Sequence, residues 1–446
     1  MSNASPAPSI LRGIWWLDPK ILFGLAVAGS ALMAVLSPAS FYQEYGSPKY
    51  FDWSHFGLAV FAVAVFVLGC RFGLQIDPGP ADLEIAARSR LRTWFWLAFG
   101  LTAAGYVIWT MLAVKNGLSL SLVKQFLFGS DESTFTDLKS GVFVRIPGIT
   151  TATQFAASAM MIGLVVWYRG DKWVAWPLAG LSAITLVRAL LYSERLAFIE
   201  IALPAFIVLF RFLALGKPMT AFYRRLWQLA PIAGVAGLIV LFGTFESFRS
   251  WKSHQKKYDS ITEFTLQRLS AYYNMAHNNS AMLLEKGYRY PLPYGTLQFF
   301  WQFPPVKLSP LAFHVRENYD PDDHFARLLQ LYANEELNND GGLFQPVYDY
   351  GWLGYPFFWG GMGLLAGYLY RSYLGGRLTG LVLYPVFVVG ILETPRLLYL
   401  TDQRIFPTLA LLIGFVWFER HNVAAILRRR ATTPNANGNA PTGAAV

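Results

Sequence analysis

The sequence predicts an all-α polytopic membrane protein of about ten transmembrane helices, with a large, mostly helical loop late in the chain. Three observations predict it. Of 446 residues, 54% are hydrophobic and only 14% are charged, whereas soluble domains carry about 25% charged residues. Apolar runs of about 20 residues, enough to cross a bilayer, recur along the chain. A water-compatible stretch at 246–346 interrupts them, far longer than the loops of about 15 residues that merely connect elements.

The elements follow in order. Residues 1–20 form an N-terminal tail that opens Ser/Ala/Pro-rich. The apolar run 21–36 ends in Ser37-Pro38 without a small-x-small cleavage site, so it reads as an uncleaved first span. Further spans are expected at 54–70, 94–114, 147–167, 173–191, 196–213 and 227–245. Residues 21–245 thus hold seven helices. After the loop, spans at 347–370, 378–394 and 403–419 complete the set. The tail 420–446 becomes Asn/Pro/Gly/Ala-rich, a composition that does not fold by itself. No internal repeat is visible.

Charge gives the orientation. The net charge is +10. Lys and Arg gather on alternate loops, as with Arg88, Arg90, Arg92, Arg169, Arg224, Arg225 and Arg428. Outside the long loop this side holds about twice the basic residues of the other, which marks it as cytoplasmic. Both termini are then cytoplasmic and the long loop faces outward. Much of the positive charge is topological, and no basic run sits on a nucleic-acid-binding module. The sole cysteine, Cys70, excludes an intrachain disulfide and a cysteine-rich metal site.

The long loop reads as ordered, because Trp251, Tyr272, Tyr273 and Trp301 are residues that disordered segments avoid. Ser260-Ile-Thr-Glu263 has capping-box spacing, and Ile261, Phe264, Leu269, Tyr272 and Tyr273 suggest one amphipathic helix. Asp320-Pro-Asp-Asp-His324 opens a second, with Asp320 as cap and Pro321 in the first helical position, running to about Glu336. Residues 338–342 end it. The loop is expected to roof a site at one face of the membrane.

Charges near apolar spans are costly and mark candidate sites. Four groups stand out at the outward side. Arg188, Glu194, Arg195 and Glu200 flank the hairpin between the fifth and sixth spans. Glu246 and Arg249 lie where the seventh span enters the loop. Glu393, Arg396, Asp402 and Arg404 surround a short loop. His277, His314, Arg316, Asp322, Asp323, His324 and Arg327 lie in the long loop. Arginines suit a phosphate-bearing substrate, since guanidinium stays charged and grips phosphate oxygens in a two-pronged way. The plainer reading is structural: Arg188 pairs with Glu194, Arg404 with Asp402, Asp322 and Asp323 favour a helix start, and His277 is a partly buried helix histidine. Gly351, Gly354, Gly360, Gly361 and Gly363 are expected to let a span approach its neighbours. Asp349 is a helix cap or part of the site.

Two stretches carry a resemblance. Tyr192-Ser-Glu-Arg195-Leu-Ala-Phe198 resembles the Ser-x-Arg that opens a span in Wzy-type O-antigen and oligosaccharide repeat-unit polymerases. Asn339-Asp-Gly-Gly-Leu-Phe-Gln-Pro-Val-Tyr-Asp-Tyr-Gly351-Trp-Leu-Gly354 resembles their exit from the large periplasmic loop. The layout of spans is similar too, although the paired arginine-rich loop repeats of some members are not evident. The resemblance implies a glycosyltransferase-C-like fold in a bacterial inner membrane, with the long loop periplasmic. It implies inverting, metal-independent transfer of a glycan from undecaprenyl diphosphate to a second lipid-linked repeat unit, without a cofactor. Arg195, His324, Asp323 and Glu194 are the catalytic candidates. Arg188, Arg249, Arg316, Arg327, Arg396 and Asp349 are the substrate-binding ones, and His277 is a further candidate base. Membrane lipid and a chain-length regulator protein are expected partners. An O-antigen ligase would share layout and donor. A lipid-linked oligosaccharide transporter would more often carry repeats and broken helices at mid-membrane depth. A monomeric-sugar transferase would show an acidic pair in the first outer loop, where Glu44 and Asp52 stand far apart.

Overall fold

The computed structural model describes residues 11, 13–79, 82–128, 141–144, 146, 148–192, 195–216, 221–249, 251, 255–290, 292–310, 312 and 321–432. Twelve helices carry the argument: α1 (Pro19–Leu36), α2 (Trp53–Gly73), α3 (Arg88–Lys115), α4 (Ile149–Tyr168), α5 (Ala175–Tyr192), α6 (Arg195–Gly216), α7 (Ala230–Arg249), α8 (Ile261–Glu285), α9 (Pro321–Tyr332), α10 (Gln345–Leu374), α11 (Leu378–Glu393) and α12 (Phe406–Thr432). Among the described residues, 8 helices are long and apolar enough to cross a membrane: α1 to α7 and α12. The other two expected spans fall on α10, which bends, and on α11, a shorter apolar helix of 16 residues. The protein is a helical, polytopic membrane protein. Many of the large apolar side chains that stay uncovered are on these helices, among them Leu101, Met111 and Val240, as a lipid-facing surface requires.

The most extensive helix contact is between α2 and α10. Glycine makes it possible. A Cβ at Gly69 would stand 2.1 Å from the Gly360 carbonyl oxygen, and one at Gly363 would stand 2.1 Å from that of Phe66. Gly73 and Gly367 meet the opposite backbone as closely. Backbones approach because no side chain intervenes, the device that replaces the hydrophobic effect inside lipid. The expected role of the glycines is corrected at three positions. A Cβ at Gly361 would meet nothing within 4 Å, and one at Gly354 would meet its own helix at Tyr350. Gly351 has φ 70° and ψ −172°, and there α10 breaks; only glycine takes that conformation without strain.

At the basic end, arginines tie helices together. Arg371 donates to the Leu74 carbonyl at the C-terminus of α2 at 2.8 Å, where a cation is favoured, and Arg90 grips the Glu419 carboxylate of α12 with Nε at 3.1 Å.

Ser260 caps α8 as its spacing predicts, accepting from the Glu263 N–H at 3.1 Å, while the Glu263 carboxylate reaches back to the Asp259 N–H at 3.0 Å. The rest of α8 departs from expectation in part. Its first turns are amphipathic, with Phe264, Arg268 and Ala271 buried and Ile261 and Leu266 exposed, but from Asn274 on it is buried, and it packs on α1 and α7. Asn274, His277, Asn278, Asn279 and Ser280 are each at most 1% exposed. Buried polar groups need partners, and these tie three distant segments to one helix. Asn278 accepts from the Tyr50 and Phe51 N–H groups at 2.7 and 3.1 Å and donates to Ser47 Oγ and the Pro48 carbonyl at 3.1 and 2.8 Å. Asn279 donates to the Leu337 and Asn339 carbonyls at 2.7 and 2.9 Å. Tyr348 of α10 donates to the Ser280 carbonyl at 2.7 Å.

Candidate functional site

Two of the four charge groups converge at one end of the bundle. α5 and α6 form a hairpin, which brings Arg188 near the end of α5 close to the start of α6. Glu200, on α6, accepts a two-pronged grip from Arg404, which precedes α12: Nε on Oε1 and Nη2 on Oε2, the latter at 3.0 Å. Tyr399 adds its hydroxyl to Oε1 at 2.8 Å. Arg404 thus pairs with Glu200 and not, as the sequence suggested, with Asp402; the Asp402 carboxylate instead accepts the Arg404 backbone N–H at 2.7 Å. Burial raises the Asp402 carboxyl above its ordinary range, against the pull of that N–H and of the Arg404 and Arg396 charges.

Arg188, Glu200 and Arg404 line one cavity with Tyr106, Thr153, Gln154 and Thr185. Its free space is about 10 Å³, room for a single water. Arg188 donates to Thr153 Oγ1, and its guanidinium lies 5.3 Å from the Trp109 ring centre and 6.0 Å from that of Tyr106. Such faces attract a cation, and Glu200 is the carboxylate among the described residues that line the cavity.

The loop behind Arg404 joins the other stretch singled out in the sequence. Gly341 and Gly342 donate to the Arg396 and Thr394 carbonyls at 3.1 and 3.0 Å. Arg396 stands against Glu393 at 2.7 Å. Burial works against the Arg396 charge, but Glu393 with Tyr273 and Tyr272 outweighs it, so the pKa rises. Thr401 donates to the Gly295 carbonyl at 2.9 Å, linking this loop to residues 294–296. There Asp349 accepts from the N–H groups of Tyr294, Gly295 and Thr296 at 2.9, 3.1 and 2.6 Å. Both Asp349 oxygens are engaged by the loop, so the carboxylate anchors backbone.

The remaining candidates are dispersed. His324, on α9, stacks on Tyr288 with ring centres 5.2 Å apart and planes at 12°. Asp323 and Arg327 are exposed on the same helix. His277 is fully buried away from the cavity, where its Nε2 meets Ser30 Oγ at 2.8 Å. Its Nδ1 meets no hydrogen-bond partner among the described residues. Burial pushes this imidazole down to about 4. A neutral histidine held in a core is a poor proton acceptor, which corrects the expectation of a partly buried candidate base. Glu246 and Arg268 form a buried pair at 3.9 Å, and Arg268 also binds Glu336. Arg195 is the first residue of α6 and Arg249 the last of α7, but their side chains lie outside the described residues, as do Glu194, His314 and Arg316 altogether. Among the described residues, no group of three His, Cys, Asp or Glu is placed to hold a metal ion.

Sequence reading did not single out Thr153, Gln154, Tyr106 or Tyr399. The polar run Thr150-Thr-Ala-Thr-Gln154 inside an expected span was the available signal. Comparisons with family models, with curated proteins and with solved structures returned no match to this chain.

Proposed function

We propose that this chain is a membrane polymerase that joins undecaprenyl-diphosphate-linked oligosaccharide repeat units into an exported polysaccharide. The observation that carries the reading is the cavity that Arg188 and Arg404, from separate parts of the chain, line together with Glu200. Two guanidinium groups in a low-dielectric pocket match the charge that develops on a departing diphosphate. In the reaction, an acceptor hydroxyl oxygen bonds to the anomeric carbon from the face opposite the leaving group. The carbon–oxygen bond to the diphosphate breaks, and its electron pair leaves with the diphosphate. The hydroxyl proton passes to a base, for which His324, Asp323 and Glu194 are the candidates.

The resemblance of residues 192–198 and 339–354 to repeat-unit polymerases supports the same reading. Both stretches adjoin the cavity's walls: the first opens α6, and the second is bonded to the loop that precedes Arg404. In this reading Arg195, Arg249, Arg316, Arg327 and Arg396 bind donor or acceptor phosphates. Both termini are cytoplasmic, and residues 246–346 face the periplasm of a bacterial inner membrane.

The test is chain growth in proteoliposomes supplied with lipid-linked repeat units. Arg404→Ala and Arg195→Ala should abolish polymer while the protein remains in the membrane. Polymer of normal length from both variants would overturn the proposal. Transfer of the glycan to lipid A core, with none to a second repeat unit, would assign the site to a ligase.

A further inference from the structure

Arg211 is a buried cation whose hydrogen-bonding groups the protein leaves unused. It lies near the end of α6 and is 3% exposed. Its Nε and Nη1 meet no hydrogen-bond partner. The guanidinium stands 5.5 Å from the Tyr373 ring centre. Its Nη2 lies against Gly376, in the turn between α10 and α11, where a Cβ would stand 2.7 Å away. Gly376 has φ 68°, a conformation that favours glycine, so the turn that gives the guanidinium room also resists a side chain.

Among the described residues, no carboxylate answers this charge. The titratable groups that act on Arg211 are the phenols of Tyr373 and Tyr168. Buried carboxylates of the same end are engaged elsewhere: Glu419 by Arg90, Asp171 by Arg92, and Asp82 by the Leu378 N–H at 2.7 Å. The helices α4, α6 and α10 all finish here, and helix C-termini favour a cation. Partial charge does not fill the two orphaned donors, however, and buried N–H groups left unbonded are costly. A charged residue so placed at a membrane face calls for a partner.

The chemistry that fits is an oxyanion, since the guanidinium fork matches two phosphate oxygens. Basic pockets between spans at a membrane face hold phospholipid headgroups. Tyr168, which neighbours Arg211, is 37% exposed and stacks on Phe212 with ring centres 4.0 Å apart and planes at 8°. An aromatic ring with a polar tip suits the level at which headgroups lie.

We propose that Arg211 seats the phosphate of a phospholipid headgroup from the adjoining leaflet, which enters beside Tyr168 and lies against the turn at Gly376. The guanidinium turns its Nε and Nη1 edge to the phosphate, and the lipid becomes a strut between α4, α6 and that turn. The site lies toward the other end of α6 from the Arg188 cavity, so it stands whatever that cavity binds.

The probe is dioleoylphosphatidylglycerol, titrated into the delipidated full-length protein in detergent and counted by native mass spectrometry. One lipid should bind tightly, and Arg211→Met should weaken it about tenfold, the worth of a charge-assisted hydrogen bond. Arg71→Gln, which removes an exposed charge at the same end, should change little. Dioleoylglycerol, which lacks the phosphate, should not compete. Equal binding by Arg211→Met and the unaltered protein would overturn the proposal. Displacement of the lipid by inorganic phosphate at equal potency would overturn the lipid as occupant and give the seat to a soluble anion. Stability supplies a second readout. Without lipid, Arg211→Met removes a charge that has no partner, so its thermal midpoint should equal or exceed that of the unaltered protein. Added phosphatidylglycerol should then raise only the unaltered protein's midpoint. A lipid-free Arg211→Met that unfolds more readily would mean that the protein itself satisfies the guanidinium, which refutes the site.

Discussion

Asn278→Ala should be among the most damaging single substitutions in the long loop. The side chain makes four hydrogen bonds at 0% exposure: two accepted from Tyr50 and Phe51, two donated to Ser47 and Pro48. Each is worth about 1 kcal/mol net, and buried N–H groups left without an acceptor add desolvation cost. The sum is about 4 kcal/mol. For a large domain, each kcal/mol moves the midpoint by about 2 °C, so a fall of about 8 °C is expected. The protein supplies its own reporter, since Cys70 is the only cysteine and is wholly buried in α2. A thiol-reactive dye that fluoresces on coupling will read thermal opening without engineered labels. Asn422→Ala, at a half-buried position whose amide donates to its own helix, is the control. A midpoint within 2 °C of that control would mean that α8 does not brace the bundle around Cys70.

Three further outcomes follow from the structure. Gly363→Leu should separate α2 from α10, because even a Cβ there would stand 2.1 Å from the Phe66 carbonyl oxygen; faster dye labelling of Cys70 at fixed temperature is the readout, and an unchanged rate would contradict the packing. The His277 imidazole, held near 4 in the folded protein against 6.5, takes up its proton more readily when unfolded. Its contribution is therefore complete above about pH 6.5 and is lost as pH falls toward 4, by about 3 kcal/mol in all. His277→Gln should flatten that part of the stability profile; an equal acid slope in both proteins would exclude His277. Polymer formation in proteoliposomes should survive a chelator, and loss of activity restored by Mg²⁺ or Mn²⁺ would count against arginines as the leaving-group stabilisers.

The helical membrane class was legible because lipid imposes length and composition on each span. The cap at Ser260 and the start of α9 at Pro321 were legible because capping is local. The arginine groups around Arg188 and Arg404 could be named from their misplaced charge, yet the bond that joins them could not. Glu200 and Arg404 meet only because α6 and α12 end at the same face, and no local rule announces that pairing. The full burial of His277-Asn-Asn-Ser280 was hidden for a related reason: it depends on Ser47, Leu337 and Asn339 arriving from far along the chain.

The first span holds one more consequence. Between Gly24 and Gly29 it widens into a π-helical turn, which accommodates an extra residue within a helix. Ser30 follows at once and turns toward His277. The halves of the span therefore keep separate registers, one matched to the aromatic cluster around Phe23 and the other to the histidine. Deleting a single residue within 24–29 would restore a uniform spiral and swing the later half around its axis. In that sense the bulge acts as a joint that lets each half of the helix fit its own neighbours.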